Sequence, residues 1–96
     1  MPQYSVYILF SPSINRFYIG YTSDFEGRFR FHNDLLRNHI WTKRGQPWER
    51  HLLTEELSKS QALRIERHIK GMKSRKYIQK LAQSKTSIIQ LKRKFA

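Results

Sequence analysis

The sequence predicts an α+β fold, a small three-stranded antiparallel sheet flanked by helices in the order ββαβαα. Three observations carry this. Two adjoining stretches near the start alternate apolar and aromatic residues around a turn-forming pentapeptide. Two later stretches repeat apolar residues three and four apart behind capping sequences. At 96 residues the chain has room for one compact core.

The first strand is Tyr4–Phe10, followed by the turn Ser11–Asn15 and a second strand, Arg16–Tyr21. Tyr4, Val6, Ile8 and Phe10 share one face, and Ser5, Tyr7 and Leu9 the other; Phe17, Ile19 and Tyr21 oppose Tyr18 and Gly20. Tyr7 and Tyr18 face the same side only if Tyr7 pairs with Tyr18 or Gly20 rather than with Ile19. Next, Ser23-Asp24-Phe25-Glu26 has the form of a capping box with Ser23 as the cap. The helix it opens places Phe25, Phe29, His32 and Leu36 on one face, and Arg28, Phe31, His32 and Leu35 on an adjoining one. Asn38–Pro47 breaks the periodicity and reads as a loop before a third strand near Trp48–Thr54. Ser58-Lys59-Ser60-Gln61 caps a second helix with the stripe Ala62, Ile65, Ile69 and Met72, weakened near its end by Gly71. Ser74–Ala82 gives a shorter helix with Tyr77, Ile78 and Leu81 turned inward. Residues 1–83 are read as one domain, and 84–96 as a basic tail or short helix.

Composition excludes several classes of function. Without cysteine there is no disulfide, no thiolate nucleophile and no cysteine-ligated metal, which suits a reducing cytoplasm. The first residues lack a signal-peptide pattern and no apolar run approaches membrane-spanning length, so a cytoplasmic protein without a membrane segment is expected. The four glycines are scattered and form no phosphate loop, and the histidines lack zinc-like spacing. Of the net charge of +12, residues 67–96 contribute +10, with ten Lys or Arg and no Asp or Glu. An unopposed basic segment is the electrostatic footprint of a polyanion, nucleic acid first. Solvated helix faces and anionic membrane surfaces are the competing readings.

One set of residues suits phosphodiester hydrolysis if the fold gathers it: Tyr7 and Tyr18 on the hairpin, Arg28 and His32 one turn apart on the first helix, and Glu66 on the second. The reaction needs an activated water, charge neutralisation on phosphoryl oxygens and usually a hard cation on carboxylate oxygen. A guanidinium serves the second need and Glu66 the third; a phenol near pKa 10 needs help to serve the first. The same residues also fit plainer roles. Arg28 has Asp24 four residues before it and Glu66 has Lys70 four after, spacings of ordinary surface ion pairs.

The segments Val6-Tyr7-Ile8, Tyr18-Ile19-Gly20, Tyr21–Asp24, Arg28–Asn33, Thr42–Glu49 and Ala62–Lys70, taken in order, resemble the GIY-YIG nuclease family, specifically its small standalone bacterial branch. The resemblance covers about residues 4–82. It implies a divalent-metal-dependent DNA endonuclease, structure-tolerant or weakly specific, acting in repair or recombination. It further implies Tyr7 or Tyr18 as general base or water-positioning group, Arg28 as phosphate stabiliser, His32 as proton relay and Glu66 as ligand of Mg²⁺ or Mn²⁺. Lys43, Arg44, Arg64, Arg67, Lys70, Lys73, Arg75, Lys76 and Lys80 are the candidate nucleic-acid contacts, with DNA the expected partner and specificity supplied by a protein partner or homo-oligomer. Two departures accompany the resemblance. Val6 replaces the family's first glycine, and no Asn follows Asn38, where many members carry one after the metal-binding Glu, leaving Gln79 and Gln83 as the nearby later amides. A non-catalytic nucleic-acid-binding module on the same fold is therefore the alternative reading.

Overall fold

The computed structural model describes residues 3–96. Strands β1 (Tyr4–Ser11) and β2 (Arg16–Thr22) form the antiparallel hairpin, and β3 (Glu49–Leu57) adds to the other edge of β1, giving the order β2-β1-β3. Helices α1 (Phe25–Asn33), α2 (Lys59–Met72), α3 (Arg75–Gln83) and α4 (Lys85–Lys94) complete the α+β architecture, with a short 3-10 helix at Trp41–Gly45.

Period-two alternation divides β1 between two cores. Val6 and Ile8 pack with Leu52, Leu57, Ala62, Ile65 and Ile69 beneath α2, where Ile78 and Leu81 of α3 close the cluster. Tyr7 and Leu9 point the other way, to Phe25 of α1 and Trp48. Both faces of the central strand are thus covered, and Val6 occupies the face opposite Tyr7. Between the pairs Tyr4↔Leu57 and Val6↔Thr54, β3 carries one residue more than β1. Glu56 takes up the excess in a left-handed conformation (φ 63°), and the bulge returns Leu57 to the core.

The structure corrects the first helix at both ends. Its cap is Asp24 rather than Ser23: the Asp24 carboxylate accepts from the Gly27 amide at 3.1 Å, and Thr22 Oγ1 accepts from the Asp24 amide at 3.0 Å. The helix stops at Asn33, because Asp34 Oδ1 accepts from the Leu36 and Arg37 amides, both at 2.9 Å, and folds the chain into a turn instead. Leu35 and Leu36, expected on helical faces, are exposed, Leu36 at 95%. The loop expected at Asn38–Pro47 contains the 3-10 helix, and the third strand runs three residues beyond Thr54.

The Ser58 cap follows the sequence, accepting from the Gln61 amide, and Ser74, read as the first residue of the next helix, instead caps it by accepting from the Tyr77 amide. Ser84 ends α3 and caps α4 through the Ser87 amide. Ile88, Leu91 and Phe95 of this last segment pack against the core under α2 and α3. Three polar ties fasten it further: Gln61 Nε2 donates to the Lys92 carbonyl (2.9 Å), Arg64 to the Phe95 carbonyl (2.9 Å), and Lys92 Nζ to the Glu55 carbonyl (3.2 Å). Among the described residues no helix is long and apolar enough to cross a membrane.

Candidate active site

The hairpin register places Tyr7 opposite Gly20, the pairing that puts the two tyrosines on one side. The glycine is required there, since a Cβ at position 20 would stand 2.5 Å from the Tyr7 hydroxyl. The buried Tyr7 ring lies across this gap, edge-on to Phe25 (5.5 Å between centroids) and tilted to Tyr18 (6.1 Å).

His32, from the last turn of α1, lies fully buried behind Tyr7. Its Nε2 is 3.1 Å from the Tyr7 hydroxyl and its Nδ1 3.0 Å from Thr42 Oγ1. Thr42 Oγ1 accepts from Asn38 Nδ2 at 2.9 Å, which leaves the threonine proton to be given to His32 Nδ1. The opposite tautomer would strand that buried hydroxyl hydrogen, at a cost of about 1–3 kcal/mol. The assignment therefore runs Asn38 to Thr42 to His32 to Tyr7, with the histidine proton on Nε2 donated to the phenol oxygen. The hydrogen of the phenol itself is then free to point into the cleft.

This setting tunes both groups. Burial, assisted by the nearby Arg28 charge, lowers the pKa of His32 to about 4, so the ring is neutral over the ordinary pH range. Burial, reinforced by Tyr18, raises the Tyr7 phenol above its ordinary value, and the Arg28 guanidinium only partly opposes that rise.

Arg28 sits one turn ahead of His32, with its guanidinium also 4.7 Å from the Phe31 ring centre. Glu66 comes from α2, only 8% exposed, with Oε1 3.3 Å from Lys70 Nζ. Of the two ion pairs that spacing allows, the Glu66–Lys70 pair forms. Asp24 serves instead as the helix cap, and among the described residues it makes no ion pair with Arg28. Tyr7, Tyr18, Arg28 and Glu66 line one cleft of about 500 Å³, together with Gly20 and Lys59. His32 does not line it and reaches it through Tyr7, to which it is hydrogen-bonded, and Tyr18, whose ring centre lies 4.6 Å from its own.

The basic candidates are dispersed. Lys43 and Arg44 lie on the 3-10 helix, Lys70 beside Glu66, and Lys73 and Arg75 along a groove with Arg16. Arg75 is engaged within the fold, donating to the backbone carbonyl (2.8 Å) and side-chain oxygen (2.9 Å) of Asn15. Arg64 is tied to Phe95, Lys80 borders a cavity between α3 and α4, and Arg67 and Lys76 are exposed. Neither Gln79 nor Gln83 lines the cleft.

Three residues that position the cleft escape the sequence reading. Lys59 had a usable signal, lying seven residues before Glu66 and so on the same face of α2. Thr42 and Asn38 had none, because their contact with His32 exists only once the loop has folded against α1.

A three-stranded sheet covered on both faces, with phenols, a guanidinium and one carboxylate gathered at a single cleft, defines a small nuclease-type α+β domain. Residues 3–81 match the family model described as the GIY-YIG catalytic domain, and the chain belongs to that family. No curated protein and no solved structure matches the chain significantly.

Nucleases of this family generally use a divalent metal, and the donors in the cleft are compatible with one. Among the described residues no cluster of three or more His, Asp or Glu side chains could cage an ion. Magnesium, however, keeps several waters and is commonly held by one or two carboxylates plus substrate phosphate. Glu66, among the described residues the one carboxylate lining the cleft, is of the type that would offer that kind of anchorage.

Proposed function

We propose that this protein is a metal-dependent endonuclease that hydrolyses DNA phosphodiester bonds with weak sequence specificity, in repair or recombination, with Mg²⁺ or Mn²⁺ held at Glu66. The observation that carries the reading is the convergence of Tyr7, Tyr18, Arg28 and Glu66 on one cleft. In hydrolysis, water oxygen bonds to phosphorus, the ester P–O bond breaks, and the proton lost by water ends on the departing alcohol. Arg28 neutralises charge growing on the non-bridging oxygens. Tyr7, whose oxygen is held 3.1 Å from His32 Nε2, would position the attacking water in the cleft. Tyr18, beside it on β2, is the second phenol within reach of that water. When bound, the divalent ion supplies Lewis-acid polarisation of the phosphoryl group. Lys59 and Lys70 bring positive charge to a strand approaching the cleft, and a protein partner or second copy would supply specificity.

Purified protein incubated with supercoiled plasmid and branched DNA, in Mg²⁺, Mn²⁺ or EDTA, tests this directly. Cleavage is expected only with metal, and Glu66→Gln is expected to lower it at least ~100-fold while the circular dichroism spectrum is retained, a loss typical of removing one electrostatic contributor. Equal cleavage by wild type and Glu66→Gln would remove the assigned site. The cleft lacks a late Asn or Gln side chain, which favours the second reading, a basic binding module on the same fold. DNA shifted on a gel but never cut would establish that alternative.

A further inference from the structure

The 3-10 helix Trp41–Gly45 holds an indole out in solvent: Trp41 is 47% exposed, whereas Trp48, the other tryptophan, is 2% exposed. The exposed ring is braced. Trp48 meets it edge-on with centroids 5.9 Å apart, and Tyr18 lies tilted against it at 5.8 Å. The backbone beneath is fastened by Trp48 Nε1 donating to the Thr42 carbonyl (2.6 Å) and Ser11 Oγ donating to the Gly45 carbonyl (2.7 Å). A large apolar surface is thus displayed in a fixed orientation rather than left on a loose loop.

Its surroundings carry one sign of charge. A cavity of about 590 Å³ is lined by Ile14, Arg16, Trp41 and Arg44, and an adjoining one of about 520 Å³ by Trp41, Lys43 and Arg44 with His39 and Ile40. Among the described residues no Asp or Glu lines either cavity. Tyr18 joins this surface to the catalytic cleft, since it lines the cleft and packs on Trp41.

We propose that Trp41, flanked by Arg16 and Arg44, is a stacking platform for an unstacked nucleobase on the strand whose phosphate occupies the cleft. The inference rests on reading the cleft as a nucleic-acid site and adds what the substrate must offer beside the cut. An indole face attracts any base through its π surface, and guanidinium groups hold the adjacent phosphates, so the platform tolerates sequence. A base inside a continuous duplex has both faces covered and cannot lie on the ring. The platform therefore selects positions where a base is free, at a branch, a bulge or an end.

The test is a binding titration in EDTA, where no bond is broken. A short oligothymidylate and an abasic sugar-phosphate strand of the same length are added to wild type, Trp41→Ala and Trp41→Phe. Affinity is read by anisotropy of a labelled strand, and indole quenching is read on the wild type. The oligothymidylate is expected to quench wild-type fluorescence and the abasic strand is not. Trp41→Ala is expected to bind the oligothymidylate roughly 5- to 150-fold more weakly, with unchanged affinity for the abasic strand, and Trp41→Phe to recover most of the loss. Equal oligothymidylate affinity in wild type and Trp41→Ala, or equal quenching by the two strands, would overturn the proposal. Since nothing is cleaved, this result and the Glu66-dependent cleavage result can fail independently of one another.

Discussion

His32 has both ring nitrogens committed inside the protein, so it contributes orientation rather than charge. Its pKa is about 4 in the folded state against an ordinary value near 6.5, so protons favour the unfolded chain between those values. The stability tied to neutral His32 is fully present above pH 6.5 and is lost as pH falls toward 4. The loss is about 1.4 kcal/mol per pH unit, on the order of 3 kcal/mol in total. Urea unfolding across this window should show wild type losing stability more steeply than His32→Gln, by one proton's slope. Parallel curves would mean that the ring is protonated in the folded state. The sequence named Tyr7, Tyr18, Arg28, His32 and Glu66 by residue type and by their place in the segments that carry the family resemblance, since spacing alone could not show that these segments converge. It could not show that Thr42 would fix the tautomer of His32, since that contact joins a helix to a loop with no period of its own. The displaced cap has a similar origin: Ser23 and Asp24 are both good caps, and Thr22 decides between them by holding the Asp24 amide.

At the level of elements, α2 and α4 show how far pattern reading goes. Ser58 and the stripe Ala62, Ile65, Ile69 and Met72 announced α2, and the helix continues through Gly71 to Met72, although Met72 itself is exposed because it falls at the helix end beyond the core. A Cβ at position 71 would meet nothing within 4 Å, and no glycine has a positive φ among the described residues. Gly71→Ala should therefore stabilise the protein by about 0.5–1 kcal/mol, seen as a raised melting temperature; a lowered one would point to an interaction of the bare backbone at that point. The last segment was harder to read, because Lys92-Arg93-Lys94 interrupts the apolar residues Ile88, Leu91 and Phe95 that seat α4. Its packing also makes truncation a poor probe of nucleic-acid binding, since removing α4 would uncover the core cluster on which Ile88, Leu91 and Phe95 pack together with whatever charge it removed.

Over the whole molecule, the positive excess is distributed rather than gathered. The segment holding +10 of the net +12 runs from the second half of α2 through α4, yet Arg64, just before it, and Arg75, within it, are bonded inside the fold. Lys85, Arg93 and Lys94 of α4 are exposed and can be neutralised without opening the core. Affinity for duplex DNA should fall with salt, with a logarithmic slope of about −0.9 for each phosphate neutralised. Replacing these three residues with Gln should make that slope shallower by about 0.9 for each phosphate they had neutralised. An unchanged slope would locate the phosphate-binding charge off these three residues, at Arg16, Arg28 or the basic residues of α2, α3 and the 3-10 helix.

The strand order also governs how the protein comes into being. β1 is the central strand, but its partner β3 begins only at Glu49, and the carboxylate of the cleft lies later still, at Glu66. During synthesis the hairpin emerges before β3 and α2, with the Val6–Ile8 face bare until α2 can dock and one edge of β1 unpaired until β3 arrives. The proposed site is thus complete only once α2 has followed the hairpin, α1 and β3. A nascent chain halted before α2 would carry both tyrosines and Arg28, yet lack Glu66, the cleft carboxylate proposed to hold a metal.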